Sequence, residues 1–135
     1  MADAAINVLG GGVSNVDALY TRGIEALAPL VDYLVINVSS PNTPGLRNLQ
    51  FGDHLDGLLS ALKTEVVKLN AEHGRRVPLA VKIAPDMTRD EIALVANTLQ
   101  ANEIDGVIAT NTTVSREHVA GTPHAHEAGG LSGAP

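Results

Sequence analysis

The sequence predicts an α/β protein built on a parallel sheet. Short runs rich in Val, Leu and Ile alternate with longer segments whose apolar residues recur every three or four positions. The short runs are apolar at successive positions, which is typical of parallel strands covered by helices. Two architectures accept this order of elements: an open doubly wound sheet and part of a (β/α)₈ barrel. A complete barrel needs about 250 residues, so a barrel chain of 135 residues would hold about half of one.

The first predicted unit is a strand, a turn and a helix. Residues 4–8 form a short apolar run that ends in a glycine-rich turn, and this pattern predicts a buried strand. Ser14 is placed to cap a following helix. The helix continues towards Pro29, and its apolar positions recur at helical spacing: Val16, Leu19, Tyr20, Ile24 and Leu27.

The second unit begins with the β-branched run 33–38, which predicts a strand. A loop follows, because the prolines within 39–45 restrict the residues before them to extended conformations. The next helix carries an apolar stripe between Leu55 and Leu69, and we expect it to end at Gly74, since glycine commonly terminates helices.

The third unit starts with a strand at 79–83. Thr88 and Glu91 have the spacing of a capping box, which predicts a helix start. The buried face of that helix is predicted to contain Ile92, Val95, Ala96 and Leu99. Residues 106–109 predict the last strand, so the order is β-α-β-α-β-α-β.

Composition excludes several function classes. The formal net charge is −6, and no segment gathers basic residues, which argues against a nucleic-acid partner or a polybasic membrane surface. The chain has no cysteine, which excludes disulfides, thiolate metal sites and a cysteine nucleophile within it. His124, His126 and Glu127 lie close together but lack a further ligand in sequence, so we expect no metal site.

Polar residues fall at or near the carboxyl ends of three predicted strands. Asn37 and Lys82 each interrupt an apolar run, and residues 110–113 follow directly on another. An asparagine there can be a turn former, and a lysine can lie on an edge strand. The same pattern on three strands favours a ligand site instead, because the carboxyl ends of barrel strands meet at the mouth where ligands bind.

Four segments then resemble the dihydroorotate dehydrogenase family in order and spacing: NVSSPNTPGLR at 37–47, VKIAPD at 81–86, IATNTT at 108–113 and GGLSG at 129–133. The resemblance runs from about residue 31 to the end of the chain. It implies a (β/α)₈ barrel that binds FMN and oxidises dihydroorotate to orotate in pyrimidine synthesis. The implied domain is 1–135, a partial FMN-binding barrel that is incomplete at both ends.

The resemblance also implies roles for individual residues. Ser40 matches the catalytic base, and Thr43 could support it through a water, although a serine in such a loop can also be a plain backbone cap. The matched substrate-binding side chains are Asn37, Asn42, Asn111 and Thr112. The matched flavin contacts are Asn7, Asn37, Lys82, Thr110 and Gly133.

The identity of the base divides the family. Members that pass electrons to fumarate or a nicotinamide carry cysteine where Ser40 stands, so Ser40 resembles the quinone-dependent class. That class is membrane-associated, at the cytoplasmic face of the inner membrane if bacterial, through a helical extension with no counterpart in 1–135. We therefore expect an internal fragment. The alternatives are a truncated, non-catalytic piece and a related FMN barrel oxidoreductase.

Overall fold

The computed structural model describes residues 16–41 and 45–133. Helices and strands alternate along these residues: α1 (Val16–Leu27), β1 (Leu34–Asn37), α2 (Gly52–His73), β2 (Leu79–Ile83), α3 (Arg89–Ala101) and β3 (Gly106–Ala109). Short 3₁₀ segments occupy Ala28–Leu30, Leu46–Gln50 and Glu117–Val119. The sequence predicted all six of the longer elements. The predicted strand at 4–8 and the predicted cap Ser14 lie outside the described residues.

The strands form one parallel sheet in the order β1-β2-β3. In the register between β1 and β2, Leu34 lies opposite Leu79 and Asn37 opposite Lys82. Between β2 and β3, Lys82 lies opposite Ile108. Each strand therefore neighbours the next one along the chain, as expected when a helix connects consecutive parallel strands.

The helices pack against one face of this sheet. The residues of β1 and β2 that point to that face are fully or almost fully buried, and they form one apolar cluster with residues of all three helices. The alternate residues of β1 and β2, which include Asn37 and Lys82, are only half-buried. A doubly wound sheet has helices on both faces, so the one-sided cover seen within residues 16–41 and 45–133 favours the barrel over the open sheet.

Helix ends follow the local sequence signals. Gly74 ends α2 in the left-handed conformation, with φ of 60°, which a residue without a Cβ adopts readily. Thr88 and Glu91 form the predicted capping box at the start of α3 through reciprocal side-chain to backbone hydrogen bonds.

The predicted buried face of α3 is partly wrong. Val95 and Leu99 are buried, whereas Ile92 is 47% exposed and Ala96 is also exposed. Within the described residues α3 packs chiefly on α2, and the flank that carries Ile92 and Ala96 is left uncovered. β3 is also left partly uncovered, and its Val107 is 51% exposed. In the sheet described, β3 is an edge strand that pairs only with β2.

Candidate active site

The loops that leave β1, β2 and β3 start from the same edge of the sheet, because the three strands are parallel. The first loop contains Ser39 and Ser40, the second contains Asp86, and the third begins with Thr110 and Asn111. The predicted site residues in the described part of the chain therefore lie together at the carboxyl ends of the strands. Gly133 is the exception, since it lies in a later segment.

The side chain of Asn37 joins the first loop to the third. Its Oδ1 accepts hydrogen bonds from the Ser39 backbone N–H at 3.1 Å and the Ser39 hydroxyl at 2.9 Å. The Asn111 amide nitrogen lies 3.1 Å from the Ser39 Oγ and 3.5 Å from the Asn37 Oδ1. Because a backbone N–H can only donate, the Ser39 contact fixes which end of the Asn37 amide is oxygen.

Tyr20 anchors the carboxyl end of β1 from the apolar core. Its hydroxyl donates to the Asn37 backbone carbonyl at 2.8 Å, and its side chain is fully buried in the helix-packed core. Burial raises the pKa of Tyr20 to about 12. The phenol therefore stays protonated, and remains a donor, across the physiological pH range.

Asn111 is held by both its backbone and its side chain. Its backbone N–H donates to the Ile83 carbonyl at 2.8 Å, which extends the pairing of β2 and β3 beyond Ala109. Its side-chain oxygen accepts from the Thr112 N–H at 2.8 Å. The amide plane of Asn111 is thus oriented by contacts at both of its ends.

Lys82 lies in the central strand of the described sheet, so the edge-strand interpretation of this residue is wrong. It shares the face that the helices leave open with its register partner Asn37, and it is half-buried. Among residues 16–41 and 45–133, no side chain or carbonyl pairs with its ammonium group. A half-buried cation without a counter-charge is costly, and a bound anion or polar ligand would compensate that cost.

Arg47 links all three loops, although the sequence motifs did not single it out. Its Nε donates to the Ser39 carbonyl at 3.2 Å, one terminal nitrogen contacts Asp86 Oδ2 at 2.7 Å, and the other donates to the Thr112 carbonyl at 3.0 Å. In the sequence, Arg47 and Asp86 each lie within one of the loop motifs, at 37–47 and 81–86. Nothing in their spacing predicts that the two residues form an ion pair.

Asp86 is the acceptor at the centre of the second loop. Besides Arg47, it accepts from the Thr113 hydroxyl and from the Val114 backbone N–H at 3.1 Å. Partial burial acts to raise its pKa, but the hydrogen bonds from Thr113, Arg47 and Val114 outweigh burial and hold the pKa below the usual value. Asp86 is therefore ionised at neutral pH.

Gly130 brings the last described segment against the third loop. Backbone hydrogen bonds of 3.0 and 2.8 Å pair Thr113 with Leu131. A Cβ on Gly130 would lie 1.9 Å from the Thr112 Oγ1 and 2.7 Å from the Thr112 Cβ, so only glycine fits there without movement. The sequence motif included Gly130 without assigning it this role.

Gly133 has a different requirement for glycine. Its φ is 92°, and apart from Gly133 and its two chain neighbours no described residue has an atom within 4 Å of the position a Cβ would take. Its backbone conformation, not crowding by described residues, excludes other side chains. A cavity of about 350 Å³ lies beside it, lined in part by Thr113, His118 and Leu131.

The remaining predicted residues lie in the first and third loops or outside the described residues. Ser40 is half-buried directly after the buried Ser39, and it is Ser39 whose hydroxyl joins the asparagine network. The Thr110 hydroxyl is exposed and donates to the Asn111 carbonyl at 2.9 Å. Asn7, Asn42 and Thr43 lie outside the described residues, so their predicted roles stay predictions.

Two further features concern metals and membranes. His124 and Glu127 contact each other on the surface at 2.8 Å, and the described ranges hold no group of three side chains suited to bind a metal ion. The helices within those ranges are too short or too polar to cross a bilayer.

A parallel sheet covered by helices on one face, with amides, hydroxyls and a lysine at the carboxyl ends of its strands, is typical of the β/α-barrel class, in which ligands generally bind at the mouth. The family model for dihydroorotate dehydrogenase matches residues 2–135. The chain belongs to the dihydroorotate dehydrogenase family.

Curated relatives named dihydroorotate dehydrogenase (quinone) are similar to this chain. The protein from Marinobacter nauticus is 60% identical over 116 residues, which cover 86% of this chain and 34% of the relative. The protein from Pseudomonas aeruginosa is 65% identical over 103 residues, which cover 76% and 30%. The chain thus spans about a third of the length of these relatives.

Solved structures agree with the fold. DHODH from Eimeria tenella in complex with ferulenol superposes with a TM-score of 0.80 at 39% identity, over 88% of this chain and 35% of that one. The ligand-free form from the same organism gives 0.81 at 38% identity, over 96% and 38%. The fold class predicted from sequence, part of a (β/α)₈ barrel, is confirmed.

Proposed function

We propose that this chain supplies part of the active site of an enzyme that oxidises dihydroorotate to orotate, with FMN as the hydride acceptor and quinone as the final acceptor, in pyrimidine synthesis. The observation that carries the proposal is the Asn37, Ser39 and Asn111 network, which lies beside Lys82 at one edge of the sheet. Family membership supports the same reaction.

The surroundings of Lys82 fit a flavin. Bound FMN would accept the hydride that leaves C6 of dihydroorotate. Lys82 supplies a half-buried cation with no partner among the described residues, and such a cation favours negative charge on a ligand ring beside it. Thr110 offers a hydroxyl and Gly133 an exposed backbone for further contacts, and we assign Asn7 to the same cofactor.

The asparagines suit a substrate whose edge alternates donors and acceptors. The Oδ1 of Asn37 already accepts from Ser39, so we assign ligand recognition to its amide nitrogen. Two contacts of the Asn111 side chain are long, at 3.5 Å each: its amide nitrogen with Asn37 Oδ1, and its oxygen with Thr112 Oγ1. We assign this N–H and this lone pair to the substrate. We assign Asn42 and Thr112 to the same substrate site.

Ser40 is the residue to which we assign proton removal from C5 of dihydroorotate. It is half-buried, and it directly follows the ordered Ser39. Partial shielding from water helps a weak base, because it limits competing hydration of the reacting groups. Thr43 is assigned the relay of the proton through a water.

The test is single-turnover flavin reduction by dihydroorotate in the complete protein. Ser40→Ala should slow reduction by about 10²–10⁴-fold, with little change in dihydroorotate affinity. Ser60→Ala, an exposed serine on α2, is the matched control and should react like the parent. Absence of dihydroorotate-dependent reduction in the parent would refute the function, whereas an unchanged rate in Ser40→Ala would move the base elsewhere.

The electron acceptor is tested separately. The relatives are named for quinone, and we propose that reduced enzyme is reoxidised faster by a soluble quinone than by fumarate or a nicotinamide. Because natural quinones dissolve in lipid, we also propose that the complete protein associates with the membrane, at the cytoplasmic face of the inner membrane if bacterial. Faster reoxidation by fumarate, or full recovery in the soluble fraction, would contradict these proposals.

A further inference from the structure

We propose that Arg47, paired with Asp86, is a positioning residue that aligns the three site loops for the reaction. The inference rests on the proposed function, since it assigns Arg47 a part in that same site. Arg47 does not itself belong to the base, the substrate contacts or the flavin contacts assigned above.

The contacts of the guanidinium carry this inference. Its three nitrogens reach three different loops: the Ser39 carbonyl after β1, the Asp86 carboxylate after β2 and the Thr112 carbonyl after β3. Ser39 directly precedes the assigned base, and Thr112 directly follows Asn111. One planar group therefore sets the spacing between the base and the substrate amide.

The pair is shielded enough for this geometry to hold. The side chains of Arg47 and Asp86 are 22% and 23% exposed, unlike a freely solvated surface pair. Asp86 also accepts from Thr113 and Val114, so it extends the connection further along the third loop. Removing the guanidinium would take away the counter-charge of Asp86 and one donor from each of two backbone carbonyls.

Gln50 fixes the backbone of Arg47 in place. Its side chain is fully buried, and its Oε1 accepts from the Ala84 N–H at 2.9 Å while its Nε2 donates to the Arg47 carbonyl at 3.3 Å. The backbone of Arg47 is thus attached to the end of β2. Because its backbone is anchored, the Arg47 side chain can hold the three loop segments that it contacts.

Arg75 is a natural matched control. It donates to the carbonyls of Pro29 and Val31 and contacts Asp32 at 3.1 Å, so it makes the same kinds of bonds as Arg47. These partners precede β1, at the opposite edge of the sheet from the site. A merely structural arginine and a positioning arginine can therefore be compared within one protein.

The experiment compares Arg47→Met, Arg47→Lys, Asp86→Asn and Arg75→Met in the complete protein. We expect Arg47→Met to slow flavin reduction at saturating dihydroorotate by about tenfold or more, because small misplacements of reacting groups have large effects. Arg75→Met should stay within about twofold of the parent. Arg47→Lys should recover part of the rate, since it keeps the charge for Asp86 but loses the fork.

Hydrogen exchange gives a second measure that needs no turnover. The amides of 108–114 should exchange faster in Arg47→Met and Asp86→Asn than in the parent, but not in Arg75→Met. Equal slowing in Arg47→Met and Arg75→Met, or parent-like rate and exchange in Arg47→Met, would overturn the inference. If Arg47→Met does not fold, Arg47→Lys and Asp86→Asn decide. A parent without dihydroorotate-dependent reduction refutes the function, and the exchange data still test the alignment.

Discussion

Substituting Gly130 by alanine tests the close contact between the last described segment and the third loop. The added methyl would lie 1.9 Å from the Thr112 Oγ1, about 1.5 Å closer than the 3.4 Å at which ordinary contact begins. Rotating the threonine does not remove the clash, because the Thr112 Cβ is itself only 2.7 Å away. Backbone must therefore move.

The expected cost follows from this geometry. Overpacking of this kind lowers the free energy of unfolding by about 1–3 kcal/mol. Gly130 is not in the left-handed region, so backbone strain adds nothing to the effect. Because Thr112 follows Asn111, the displacement should also weaken binding of dihydroorotate by an estimated tenfold or less, on the order of 1 kcal/mol.

Urea denaturation and ligand titration of the complete protein measure both effects. Gly57→Ala is the control, since Gly57 lies within α2 with nothing near its missing Cβ, and alanine there should stabilise by about 0.5–1 kcal/mol. Adding Thr112→Ala to Gly130→Ala removes the nearest clash and should recover part of the stability. A Gly130→Ala protein as stable as the parent, with unchanged affinity, would refute the reasoning.

Three other predictions concern single groups. Tyr20→Phe removes the donor to the Asn37 carbonyl and should lower the free energy of unfolding by about 1–3 kcal/mol in urea denaturation; an unchanged value would contradict the anchoring role. The lowered pKa of Asp86 means that its pair stabilises the protein above about pH 4 and loses this contribution as pH falls through the native pKa. Thermal melts of Asp86→Asn should accordingly show a weaker dependence on pH below about 5 than the parent, and parallel curves would argue against the pair. Lys82→Met should lower flavin content and make the flavin reduction potential more negative, while the exposed control Lys68→Met leaves both unchanged; parent-like values in Lys82→Met would make Lys82 structural.

Elements that depend on neighbouring residues could be predicted from the sequence. The capping box at Thr88 and the end of α2 at Gly74 each depend on residues within a few positions, and both appear as predicted. Hydrophobic periodicity likewise predicted the strands and helices. The exposure of Ile92 could not be predicted in this way, because periodicity describes which face is apolar and not which neighbours cover it.

The candidate site could be placed by sequence, but its connections could not. Asn37 and Lys82 lie at or near the carboxyl ends of predicted strands, and this position indicated that they would lie close together. Arg47 and Asp86, however, are 39 residues apart, and their pairing depends on how two loops turn after their strands. The need for glycine at 130 depends on a threonine in another loop. Such contacts are properties of the folded chain and leave no local pattern.

Buried apolar residues alternate with half-buried residues along β2, and this alternation specifies the register of the strand. Val81 and Ile83 point into the apolar cluster, and Lys82 between them points to the opposite side. A shift of the β2 register by one residue would place Lys82 on the face that packs against the helices. Val81 and Ile83 would then lie on the opposite face. Burying an unpaired ammonium against the helices would cost at least several kcal/mol. The same lysine that we assign to the ligand therefore also penalises misaligned chains before any ligand arrives.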